Sequence, residues 1–244
     1  MRTILLALAG LALPALAGAQ NRFPPDSLRN VQVLPRTMTP RQVITTMRMM
    51  TSALGVRCTY CHVGEESQPL EAYDFASDDK RTKRTARLML QMVQDINQRT
   101  LPQIPERPTP QREVSCMTCH RGIARPVPLG DLIAEAFTAG GLDSARRTYA
   151  ALRQRYFGRA TYDFSEPSLV GTSLELRAAN RLDEAVAVLQ VNEEQFQSAN
   201  TASNMGETLM MKRDTAGAIR AWRTALQRDS TNFTARSRLR ALGL

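Results

Sequence analysis

Where the chain shows a clear apolar pattern, the spacing is helical. Val43, Met47, Met50 and Leu54 recur at intervals of four, three and four, so they share one face, while Met49 points elsewhere. The ends of this helix are marked locally. Thr39 is a good N-cap, Pro40 fits the first helical position, Gln42 completes a capping box, and Gly55 is placed to end the helix. A loop over residues 63–77 follows, containing Gly64, Pro69 and Asp74. Ser77 or Asp78 can then cap a second, longer helix running to about Leu101, with apolar positions at Ala86, Met89, Met92, Val93 and Ile96. Prolines at 102, 105, 108 and 110 forbid regular helix in the next stretch. From Asp131 onward the chain is rich in Ala, Leu and Arg. Ala185 and Leu189 recur 33 residues later as Ala218 and Trp222, with a weaker match at Ala145 and Tyr149, 40 residues before Ala185. The pattern predicts an all-α fold.

Cysteine placement gives the chain its chemistry. Cys58-Thr59-Tyr60-Cys61-His62 and Cys116-Met117-Thr118-Cys119-His120 both read C-x-x-C-H, and together they use all 4 cysteines and both histidines. That string is where a c-type haem is attached. Two thiols three positions apart can form thioethers to the two vinyl groups of one porphyrin, and the adjacent imidazole reaches the iron. A zinc ion held by two C-x-x-C pairs, or a set of disulfides, would use the same thiols but leave both histidines without a role. A thioredoxin-like motif wants a neighbouring βαβ pattern, which is missing. The expectation is two covalently bound haems, on Cys58 and Cys61 and on Cys116 and Cys119, with His62 and His120 as proximal iron ligands.

With both histidines committed, a sixth ligand must come from another residue type or the position stays open. Methionine is the natural candidate, and the chain has 11. Met47 lies eleven residues before Cys58, on a helix that ends at a turn. Met89 and Met92 repeat the Met-x-x-Met of Met47 and Met50, so the unit "helix with Met-x-x-Met, then C-x-x-C-H" occurs twice. Met also packs irregular gaps, and core filling is the competing role. Lys80, Arg81, Lys83, Arg84 and Arg87 on the second helix read as a solvated face, or as partners of haem propionates.

Residues 1–19 have the form of a signal peptide: Arg2, an apolar run from Ile4 to Leu13, and small residues at Ala17-Gly18-Ala19. The run is too short to span a bilayer. Export to the periplasm is the corresponding expectation. The net charge is +9, which suggests acidic redox partners steered at low salt, although most of the arginines are scattered. Nucleic acid is not expected, because no basic stretch is interleaved with aromatics. A Ser/His/Asp set is excluded by the commitment of both histidines, and no phosphate-binding loop is present.

Residues 43–128 resemble the cytochrome c subunit of photosynthetic reaction centres and its soluble multihaem relatives. The likeness rests on Met47 to Thr51, Leu54 to His62, Met89 to Asn97, and Val114 to Gly122. It implies that each haem is held by a helix, a turn and a C-x-x-C-H helix, with a distal methionine on the preceding helix. That points to Met47 for the first haem and Met89 for the second. This chain has one haem pair where the photosynthetic subunit looks like two. It has no additional histidine for a distal position and no cysteine near its start for lipidation. Met205 to Asn232 resembles a tetratricopeptide repeat, with Gly206, Ala218, Trp222, Ala225 and Ser230 at the small, aromatic and terminating positions.

The expected organisation is a signal peptide over 1–19, a diheme cytochrome c domain over 20–130, and tetratricopeptide-like helical hairpins over 131–244, about three units with an enlarged loop around Gly158 to Pro167. The expected function is single-electron transfer between a redox donor and acceptor, with association with a membrane redox complex among the expected partners and the repeats used for docking. A peroxidase-like haem enzyme with one open iron, and a repeat scaffold whose metal domain is secondary, are the alternatives.

Overall fold

The structure, a computed structural model, describes residues 23–244; the expected signal segment lies outside them. The described chain is helical, apart from one isolated bridge between Val63 and Asp74. Its α-helices are α1 (Pro40–Leu54), α2 (Arg81–Asp95), α3 (Cys116–His120), α4 (Leu129–Tyr156), α5 (Glu166–Ala178), α6 (Leu182–Phe196), α7 (Ala199–Met211), α8 (Thr215–Arg228) and α9 (Phe233–Ala241). None of them is long and apolar enough to cross a membrane.

Helix α1 begins and ends where its caps dictate. The Thr39 backbone N–H donates to Gln42 Oε1 at 2.8 Å, and the Gln42 N–H returns to Thr39 Oγ1 at 3.4 Å. At the other end Gly55 takes φ +65°. Its N–H donates to the Ser52 carbonyl at 3.3 Å and the Val56 N–H to Thr51 at 3.1 Å, the paired bonds of a Schellman turn. Helix α2 starts later than Ser77 or Asp78, at Arg81 with Lys80 as its cap. Asp78 is drawn instead into pairs with Lys83 and Arg87, so it does not cap the helix. Beyond Asp95 the path loosens into a π-helical turn (Ile96–Thr100) and a 3₁₀ turn (Leu101–Gln103), before the prolines.

The chain forms two compact units. The first comprises the described residues up to Thr51 together with Val56–Val114; the second comprises Ser52–Gly55 and Ser115–Leu244. The residue-130 boundary read from the sequence falls within α4. Leu129 at the head of that helix is buried with Ile133, Tyr149, Leu169, Leu176 and Val188 in one apolar cluster. This is why the second C-x-x-C-H motif groups with the C-terminal helices.

Within the second unit α4 is broken at Gly140 and Gly141, the latter at φ +70°. Its halves are followed by helix pairs α5–α6 and α7–α8 and by α9. The long connection after Tyr156 lies where the enlarged loop was expected. Polar side chains start three of these helices: Ser198, Asp214 and Asn232 accept from the N–H groups of Thr201, Gly217 and Ala235. Ala145, Tyr149, Ala185, Leu189, Ala218 and Trp222, matched by spacing in the sequence, are all buried. A second cluster gathers Ala202, Trp222, Ala225, Ala235 and Leu239. Arginines pair between helices: Arg146 with Glu194, Arg228 with Glu193, and Arg238 with Glu207.

Three glycines test this packing. A Cβ at Gly55 would lie 2.1 Å from the Gly122 carbonyl oxygen, in a left-handed conformation as well. A Cβ at Gly206 would lie 2.4 Å from Trp222 Nε1, whereas at Gly171, inside α5, it would meet nothing. Gly55→Ala should therefore destabilise by more than about 1 kcal/mol, and Gly206→Ala by about 1–3 kcal/mol. Gly171→Ala should stabilise by about 0.5–1 kcal/mol. Urea midpoints of the three variants check this order.

Candidate haem-attachment sites

The first motif is a single tight turn. Arg57 is extended, Cys58–Tyr60 form a 3₁₀ turn, and the Cys58 carbonyl accepts from both Cys61 N–H (3.2 Å) and His62 N–H (2.9 Å). The turn brings thiol, thiol and imidazole round one short piece of backbone. None of the four cysteines of the two motifs is joined in a disulfide. Burial pushes the Cys61 thiol above its ordinary value, against the Thr82 side chain and the Lys80 charge.

His62 is held from the far side by the loop that follows. The Asp74 N–H donates to the Val63 carbonyl at 2.9 Å, and the Tyr73 hydroxyl to the Glu65 carbonyl at 2.8 Å. Phe75 then meets the imidazole edge-on at 5.0 Å between centroids and lies 5.5 Å from the Tyr73 ring. His62 Nδ1 is buried without a well-formed hydrogen bond; the nearby Phe75 backbone favours the charged ring only weakly. Burial foremost, and then the Lys83 charge, lower the imidazole to about 4. It is neutral at physiological pH, the form that ligates a metal.

Helix α2 clamps this assembly with its basic residues. Lys80 Nζ donates to the Thr59 carbonyl and Thr82 Oγ1 to the Tyr60 carbonyl, both between the cysteines. Lys83 Nζ collects the carbonyls of Phe75, Ala76 and Ser77 at 2.9, 3.0 and 2.6 Å, with Asp78 at 3.1 Å. Arg84 bonds the Asp78 and Asp79 carbonyls. Arg87 pairs with Asp78 at 2.8 Å, and Asn30 Nδ2 reaches the same carboxylate at 2.9 Å. So four residues of this basic run, Lys80, Lys83, Arg84 and Arg87, are not simply a solvated face: they hold loop carbonyls or the Asp78 carboxylate. Their role was invisible in the sequence because the accepting carbonyls carry no residue-type signal.

The second motif is the short helix α3. The Ser115 N–H donates to Thr118 Oγ1 at 3.0 Å at its start, and Arg121 turns left-handed at φ 49° to end it. His120 Nδ1 lies 2.9 Å from the Ile123 carbonyl. A carbonyl can only accept, so Nδ1 carries the proton and Nε2 is left with its lone pair, the usual arrangement behind a metal-bound histidine. The Gly122 N–H donates to the Ala53 carbonyl at 2.8 Å, fixing the turn after the histidine. In the first unit, Asn97 brackets the approach to this motif with two 2.8 Å bonds to the Val114 backbone.

Met47 is half-buried on α1, and Met89 is 40% exposed on α2 beside Met92 at 45%. Met47, Met89 and His62 belong to the first unit, His120 to the second. Among its described residues the first unit has no fully buried hydrophobic side chain; every one in the core belongs to the second. A unit that clusters aromatics and carries half-exposed methionines without enclosing any of them suits a large apolar prosthetic group. The donor set, two thiols and a neutral imidazole, suits haem specifically. Sequence reasoning missed Phe75 and Ile123 and gave Lys83 and Asp78 other roles; none stands at a diagnostic spacing from a cysteine.

The family model for the photosynthetic reaction centre cytochrome C subunit matches residues 14–140, across both motifs. The chain belongs to this family. It is therefore a c-type cytochrome, the class whose haem is covalently bound. It is also similar to cytochrome c-554 of Chloroflexus aurantiacus, with 39% identity over 92 residues, which is 37% of this chain. The match spans 20% of that relative's length. No solved structure matches.

The Lys83 clamp makes two predictions. Lys83→Met keeps the side-chain stem but strands three carbonyls, and should cost about 1–3 kcal/mol; faster amide exchange across residues 74–78 would locate the loss. Asp78 is held well below the usual carboxylate range by Arg87, Asn30 and Lys83. Its contribution is full above the unfolded value of 3.8 and disappears as pH falls below it. Asp78→Asn should therefore flatten the acid limb of stability below that pH, read from urea midpoints measured across the acid range.

Proposed function

We propose that this cytochrome is an exported diheme protein that passes single electrons between redox partners in the periplasm. The observation that carries the reading is the duplication of one device. Each of two C-x-x-C-H strings is folded into a helical turn, with its imidazole fixed from behind: by the loop around Phe75 for His62, and by the Ile123 carbonyl for His120. When bound, haem supplies the one-electron couple. Cys58 and Cys61, and Cys116 and Cys119, would hold it through thioethers, with His62 and His120 giving nitrogen and Met47 and Met89 giving sulfur to the iron.

Methionine opposite histidine raises a haem potential relative to harder ligands, so both centres are proposed to work at fairly high potential. Electron transfer needs no bond-making residue, and none is proposed: the protein holds, orients and excludes water. The α4–α9 helices, proposed to be tetratricopeptide-like, are a surface for docking to a redox partner, including one in a membrane complex. The basic net charge of +9 supports acidic partners.

A pyridine haemochrome assay should give two haems per chain. Mass spectrometry should place one on each cysteine pair; a single haem, or free thiols in the exported protein, would end the diheme reading. The oxidised protein should show a near-infrared methionine-to-iron band. Met47→Ala and Met89→Ala should each remove about half of it, and retention of the full band in either variant would transfer the distal role elsewhere.

A further inference from the structure

The two motifs present different faces to solvent. In the first, the backbone between the cysteines is tied down: Lys80 and Thr82 occupy the Thr59 and Tyr60 carbonyls, and Thr59 is half-buried while the Tyr60 side chain is 42% exposed. Arg57, just before the first cysteine, is paired with Glu66 at 3.6 Å, and Thr59 Oγ1 donates to the same carboxylate at 3.4 Å. In the second motif Met117 is 46% exposed, and Thr118 and Cys119 are exposed with it. Beside them is an open concavity of about 430 Å³ lined by Ser115, Met117, Thr118, Arg121, Arg159 and Ala160.

Arg159 comes from the loop after α4, almost forty residues on from Arg121 in sequence, and the fold fixes it there. Thr161 Oγ1 donates to the Arg121 carbonyl at 2.9 Å, and the Arg159 N–H to the Tyr156 carbonyl at 3.0 Å. Arg121 at φ 49° and Ala160 at φ 56° are both left-handed without being glycine, a conformation that costs on the order of 1–2 kcal/mol each. Strain of this kind persists only where surrounding contacts impose it, and it gathers at functional positions. Both arginines are exposed, and neither enters an ion pair among the described residues. By contrast, several tail arginines are paired between helices.

We infer that the Arg121–Arg159 rim, beside the exposed Met117 and Thr118, is the docking face for an acidic redox protein, and that electrons pass between partner and cytochrome at the second motif. Charge complementarity selects the occupant: two unpaired guanidiniums flank an uncharged, partly apolar contact. The inference rests on the proposed diheme reading and adds the port and the sign of the partner's charge.

The test uses the reduced holoprotein and two one-electron oxidants of opposite charge, hexacyanoferrate(III) and tris(phenanthroline)cobalt(III). In each case one electron leaves the protein and the oxidant's metal is reduced by one unit. Arg121→Gln combined with Arg159→Gln should slow the anionic oxidant about tenfold at low salt and lower its rate relative to the cationic one. A charge-matched control, Arg220→Gln with Arg223→Gln on α8, should leave that ratio near wild type. A second readout needs no electron transfer. The redox-inert paramagnet hexacyanochromate(III) should broaden NMR signals of Met117, Thr118 and Arg159 in the wild type and not in the double variant. Equal slowing by the control pair, or broadening centred on Thr59 and Tyr60, would overturn the port. So would shifted midpoint potentials with an unchanged rate ratio, which would assign the arginines to haem propionates. Haem stoichiometry separates the two failures: with two haems loaded and no charge effect only the port is lost, whereas an unloaded Cys116–Cys119 pair removes the diheme reading and the port together.

Discussion

A neutral imidazole must be presented rigidly, one residue after a pair of thiols, and a short turn of backbone cannot hold it unaided. The remainder of the first unit answers that requirement. The loop from Val63 to Asp79 returns over His62 and brings Phe75 against its edge. None of the described hydrophobic side chains of that loop is fully buried, and beside the Phe75 contacts it is held by polar means, chiefly one lysine donating to three consecutive carbonyls. Buried backbone carbonyls need donors, and a largely buried ammonium needs acceptors. Each solves the other's problem, and Asp78 balances the charge.

The second motif meets the same requirement differently. Its imidazole is oriented by a carbonyl only three residues ahead, in a turn made possible by left-handed Arg121 and by Gly122 at φ 88°. This solution is local and compact, and it leaves the opposite side of the motif uncovered. The two motifs therefore rest on different supports, one built from a returning loop and a basic helix, the other from a tight turn ahead of α4.

What the sequence made legible follows from how far each determinant reaches. The ends of α1 could be read because a capping box and a left-handed glycine act within a few residues. The small and aromatic positions of the tail could be read because each is a buried packing position whose residue type the space dictates, as Gly206 against Trp222 shows. The start of α2 was misplaced because Asp78 has a better use in three-dimensional contact than as a cap. Lys83 and the Thr161–Arg121 bond were hidden because their acceptors are main-chain oxygens, which every residue possesses. The placements of Met89 and His120 in different units are likewise a property of tertiary grouping, on which helical periodicity is silent.

The break in α4 has an architectural consequence. The family likeness runs to residue 140, and Gly140 is the first of the two residues at which that helix is interrupted. Yet the apolar cluster does not stop there: Leu129 and Ile133 before the break are buried together with Ala145 and Tyr149 after it, and with Leu176 and Val188 beyond. The family-matched segment and the helical tail thus share one hydrophobic interior across the seam. A gene cut at that seam would yield a fragment whose final helix displays an oily stripe to water.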